Sequence, residues 1–87
     1  LNMSWQVRIP ERVSKTIKHF PADDRQRVVL ALRDMALDPF GGDITKISGE
    51  KNLWRRRVGS YRLFYSVNGS LKIVEIKEIN RRTSSTY

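Results

Sequence analysis

Large apolar residues alternate with polar ones over Trp5-Gln-Val-Arg-Ile9, and this period of two predicts a first strand. The spacing then lengthens. Ile9, Val13, Ile17 and Phe20 recur at helical intervals, which predicts a helix that opens at Pro10 and leaves Arg12, Lys15 and Lys18 in water. Phe20-Pro21 stops it, because a residue before proline disfavours helical geometry. A second helix is predicted from Pro21, with Asp23 and Asp24 at the positive end of its dipole. Val28, Val29, Leu32, Met35 and Ala36 make its apolar face, and Asp38-Pro39 ends it. Phe40 to Asn52, with Gly41, Gly42 and Gly49, reads as a long loop.

The remaining pattern is that of strands. Leu53–Val58 and Tyr61–Val67 flank Gly59-Ser60, and Asn68-Gly69 leads into Leu71–Ile79. The order β-α-α-β-β-β predicts an α+β domain spanning residues 3–87. Its sheet is mainly antiparallel and curved, with a two-helix hairpin packed on one face. At 87 residues there is material for one modest core.

Charge sharpens this picture. Residues 1–43 carry seven Lys/Arg against six Asp/Glu, whereas residues 44–87 carry ten against three. Nearly all of the net charge of +8 therefore sits on the strand half. A one-sided basic protein has a binding face, for which nucleic acid is the first candidate, then an acidic protein, then anionic lipid. No apolar run approaches the roughly 20 residues needed to cross a bilayer, and the opening residues show no signal-peptide pattern. Cysteine is absent, so thiolate metal sites and disulfides are excluded, and the cytoplasm is the expected location.

Strand alternation sorts the arginines. Arg55 and Arg57 share a face with Leu53, while Trp54, Arg56 and Val58 point the other way. Arg62 opens the adjacent strand, and Arg81 and Arg82 follow the next one, so four or five guanidiniums are expected on one concave surface. Each can donate paired hydrogen bonds to phosphate oxygens. Arg56, Lys46 and Lys51 are further candidate phosphate contacts. The plainer reading is that these charges only mark the solvent side of a strand. Against it stand the shortage of acidic residues nearby and the interleaved aromatics Trp54, Tyr61, Tyr65 and Tyr87. Most of those aromatics are expected to pack in the core; terminal Tyr87 is the exception. His19, the single histidine, reads as a surface residue, and neither metal-ligand spacing nor a glycine-rich nucleotide loop occurs, so no cofactor is implied.

The run Leu-x-Arg-x-Arg-Val-Gly-x-Tyr-Arg-Leu-x-Tyr from Leu53 to Tyr65, the two preceding helices and the Arg81-x5-Tyr87 ending resemble the RelE/ParE superfamily of toxins from toxin–antitoxin pairs. The resemblance covers nearly the whole chain. It implies a cognate antitoxin partner and one of two actions: ribosome-dependent mRNA cleavage, or poisoning of DNA gyrase. The Arg81–Tyr87 ending is more similar to the nuclease branch. By that resemblance, Arg55 and Arg62, with Arg57 beside them, would stabilise the phosphoryl charge during attack by a ribose 2′-OH. Arg81 would serve the leaving oxygen, and Tyr87 would stack on a base or help move the proton. Two positions depart from the pattern. Arg57 stands where some members carry a lysine, and a guanidinium is a poor base at neutral pH. Arg56 stands where an apolar residue is usual. A homologue that keeps binding and has lost cleavage is the remaining alternative.

Overall fold

Two prolines organise the helical layer. The carbonyl of Pro10 accepts from Val13 and Ser14 N–H at 3.0 Å each, opening α1 (Glu11–Lys18). The carbonyl of Pro21 accepts from Arg25 N–H at 2.9 Å and opens α2 (Ala22–Leu37) in the same way. Proline suits both positions because its missing N–H has no intrahelical partner at a helix start. The computed structural model describes residues 4–81. Around the helices lie β1 (Gln6–Arg8), β2 (Ile44–Lys46), β3 (Trp54–Val58), β4 (Tyr61–Asn68) and β5 (Ile73–Arg81).

The five strands form one sheet in the order β1-β5-β4-β3-β2, antiparallel throughout except for the parallel pair β1·β5. Fold class and helix layer match the expectation from the chain pattern. The loop after α2 does not: Ile44–Lys46 pairs with Trp54–Arg56 as an edge strand. Three residues, of which Thr45 and Lys46 are exposed, give too short an alternation to stand out. The Asn68-Gly69 turn is also longer than a two-residue hairpin. Asn68 Oδ1 accepts from Leu71 N–H at 3.0 Å, Lys72 takes a left-handed φ of 58°, and β5 begins only at Ile73.

One sheet face is buried against the helices. Tyr61, Leu63 and Tyr65 of β4 and Val74, Ile76 and Ile79 of β5 meet Val13, Ile17, Val28, Ala31, Leu32 and Met35. Two positions leave the predicted apolar faces, since Ile9 and Val29 are exposed and Ala31 is buried instead. Tyrosine hydroxyls on this face find acceptors. Tyr65 donates to the Pro39 carbonyl at 2.8 Å and Tyr61 to the Asp24 carboxylate at 3.0 Å. The ring of Tyr61 stacks on Phe20 with centroids 4.2 Å apart. These rings are packing residues. A bulge between Phe64 and Tyr65 shifts the β4·β5 register and bends the strands locally.

Candidate nucleic-acid interface

The opposite sheet face carries no helix among the described residues, and the register places the arginines on it. Arg57 lies directly across from Arg62, and Arg62 from Asn80; one step along, Arg55 lies across from Phe64, and Phe64 from Glu78. Directly paired residues share a face, with Cβ atoms about 4.5–5.5 Å apart. Arg55, Arg57 and Arg62 therefore form one compact triangle. Tight turning at Gly59 (φ 59°) returns the chain so that Arg57 and Arg62 meet. Like charges set opposite each other repel, so this arrangement is an electrostatic cost to the sheet.

Arg62 has a further mark. Its Nε is buried and has no hydrogen-bond partner among the described residues. A buried donor without an acceptor is uncommon in folded proteins and costs free energy until an acceptor arrives. Neither Arg55 nor Arg62 forms an ion pair with an acidic residue among the described residues. Arg57 does, with Nε 3.5 Å from Asp43 Oδ2.

Several expected members lie elsewhere. Arg56 points into the helix side and is only 9% exposed. It meets Asp34 at 3.4 Å, and Gly42 covers its guanidinium. It is thus a buried structural cation rather than a phosphate contact. Its Nη1, too, is buried without a partner among the described residues. Lys46 lies across from Trp54, on the same buried side, with its ammonium 5.9 Å from the Trp54 ring centroid. Lys51 is exposed in the loop between β2 and β3, and no contact brings it to the arginine triangle. Arg81 lies across from Tyr61, with its guanidinium 6.0 Å from that ring centroid. Among the described residues the expected convergence of guanidiniums is therefore of three, because strand alternation gives Asn80, not Arg81, to the open face. Arg82 and Tyr87 fall outside the described residues.

The apparent shortage of acidic partners is corrected as well. Asp34 and Asp43 are remote in sequence from the arginine run, and folding brings them to Arg56 and Arg57. Asp43 sits just before β2, in a segment whose residue pattern reads as loop, so the sequence does not tie it to Arg57. Its only signal was a carboxylate following two glycines.

No family model matches the chain. Individual relatives do. The protein named Toxin RelE3 of Methanocaldococcus jannaschii is 34% identical over 77 residues, covering 84% of this chain and 86% of that protein. The Putative toxin RelE1 of the same organism is 28% identical over 83 residues, covering 92% of each. Among solved structures, the archaeal RelE–RelB complex from Pyrococcus horikoshii OT3 superposes with a TM-score of 0.85 at 27% identity. It spans 95% of this chain and all of the matched chain. The isolated E. coli RelE toxin shares the fold, with a TM-score of 0.78 at 18% identity over 93% of this chain and 87% of that one. Sequence identity across most of the chain, together with the shared fold, shows that the chain belongs to the RelE toxin family.

Proposed function

We propose that this protein is the toxin of a toxin–antitoxin pair that cleaves mRNA on the ribosome, using the open sheet face as a phosphate cradle. One observation carries the reading: among the described residues, Arg55, Arg57 and Arg62 share an uncovered face, and Arg62 presents a buried Nε with no acceptor. In the reaction, a ribose 2′-OH attacks the adjacent phosphorus. The P–O5′ bond breaks, leaving a 2′,3′-cyclic phosphate and a 5′-OH. Negative charge gathers on the phosphoryl oxygens, where fixed guanidiniums stabilise it without reorganising. Arg62 and Arg55 take that role, with Arg57 beside them. Arg81, whose guanidinium lies on the helix side beside Tyr61, is set apart from that phosphodiester, so the leaving oxygen takes its proton from water or from a group brought by the RNA or ribosome. Guanidiniums cannot accept the 2′-OH proton, so Tyr87, water or a group brought by the RNA or ribosome does so.

The partner is an antitoxin, by analogy with the RelE–RelB complexes named among the relatives. The outward side of α2 exposes Val29, Leu30 and Leu37 beside Arg25 and Arg33, a surface suited to an acidic amphipathic helix. Induction in cells followed by mapping of mRNA 5′ ends tests the cleavage. New 5′ ends within translated regions are expected, and Arg62→Ala should abolish them and relieve growth arrest while leaving the fold unchanged. Intact transcripts at a toxic dose would overturn the nuclease reading. Inhibited supercoiling by pure gyrase would put a gyrase poison in its place, and unaffected growth would point to a homologue without cleavage.

A further inference from the structure

Asp43 has no place in the reaction just described, yet the fold delivers it to the cradle by two contacts. Gly42, at φ 83°, turns the chain over the Arg56 guanidinium and presents the next residue to β3. The Asp43 carbonyl accepts from Arg57 N–H at 2.9 Å, and its carboxylate lies 3.5 Å from Arg57 Nε. We propose that Asp43 is a resident competitor for phosphate: it holds the Arg57 guanidinium on the open face and yields it to an incoming phosphodiester. This deepens the phosphate-cradle reading and rests on it.

Three features fit that role. First, the pair is weak enough to exchange. Both side chains are at least half exposed, at 52% and 65%, and 3.5 Å is well beyond the roughly 2.7–2.9 Å of a strong charge-assisted bond. Second, the main-chain bond keeps the displaced carboxylate close, so it competes with phosphate throughout. Third, Arg57 faces Arg62 directly, and a neighbouring anion relieves their repulsion while the site is empty. Phosphate would take over the same task with more oxygens and more charge. Asp43 is a positioning residue in this scheme, and it sets how tightly RNA is held rather than whether it is cut.

Binding of a labelled single-stranded oligoribonucleotide across a salt series provides the test. Asp43→Asn should tighten binding about two- to fivefold. The slope of log affinity against log salt should stay nearly unchanged, because Arg57 meets the phosphate in both proteins, whereas Arg57→Gln should flatten it by about 0.7. Arg57→Gln should cancel the gain, so that the double variant binds as Arg57→Gln alone does. Asp23→Asn, on α2 and equal in net charge to Asp43→Asn, should show no gain. No tightening with Asp43→Asn, or the same tightening in the Arg57→Gln background, would overturn the inference. The cradle itself is read separately from Arg55→Gln and Arg62→Gln, which should both weaken binding; if neither does, that reading fails. Asp43 is then still decided by following the Arg57 Nε–H resonance while tripolyphosphate is added. Movement toward its position in Asp43→Asn supports displacement, and an unmoved resonance refutes it.

Discussion

A single glycine shows how closely this small fold is fitted around its buried cation. Gly42 has a left-handed φ of 83°, and a Cβ there would come within 2.8 Å of the Arg56 guanidinium carbon and Nε. Gly42→Ala therefore adds backbone strain to a clash with a side chain that Asp34 and the protein wall hold in place. We expect a loss of about 1–3 kcal/mol in urea unfolding, with unchanged secondary structure by circular dichroism. A loss below 0.5 kcal/mol would mean that Arg56 moves aside easily. Strand alternation correctly separated Arg56 from Arg55 and Arg57. What it could not supply was Asp34, 22 residues away in sequence. That pairing turns a surface-seeming charge into a buried one, and residue type alone groups Arg56 with the phosphate contacts.

Among the elements, the long and strongly periodic ones were legible. Both helices begin beside the predicted prolines, and β3 and β4 meet at the predicted Gly59-Ser60 turn. Strand β2 was not, because its three residues acquire their conformation from pairing with β3 and not from their own pattern. The site followed the same division. Cross-strand register was readable for Arg57 and Arg62, whose turn is two residues long, and unreadable for Arg81, whose face depends on the bulge in β4·β5. Strand β4 also supports a pH prediction. Burial pushes the Tyr65 hydroxyl up to about 12, with the Arg56 charge opposing the rise. The unfolded tyrosine ionises near 10, so the stabilisation is complete below that pH. It is lost as pH rises toward 12, where the buried hydroxyl must ionise and give up its bond to Pro39. Melting temperature should hold steady up to about pH 10 and fall above it. Tyr65→Phe should cost about 1 kcal/mol at pH 7 and flatten that alkaline fall; an unchanged fall would assign it to other groups.

At the scale of the whole molecule, the charge asymmetry seen along the chain becomes an asymmetry of layers. The sheet presents Arg55, Arg57 and Arg62 on one side, and the helices lie on the other with exposed apolar positions on α2. A partner can thus hold the helical layer without first touching the arginine face. Leu30, half exposed at 50%, is the most informative position for that contact. Leu30→Glu places a charge where an antitoxin helix would bury apolar surface. It should raise the dissociation constant about tenfold or more in calorimetry against the cognate antitoxin, with little effect on toxin stability. An unchanged constant would move the antitoxin footprint elsewhere.

The parallel pairing of β1 with β5 joins Gln6–Arg8 to Ile73–Glu75, the first described strand to the last. Between them, β5 also supplies Val74, Ile76 and Ile79 to the core. On an emerging polypeptide the helices and the β3–β4 hairpin can form locally, but their shared apolar face stays open until the last strand arrives. Closure of the core therefore waits on the nine residues of β5: a chain stopped before Ile73 would bare the edge of β4 and lack Val74, Ile76 and Ile79 of the core. Any protein that binds the finished fold must wait for that closing strand, whereas one that binds the helices alone can begin while the chain is still being made.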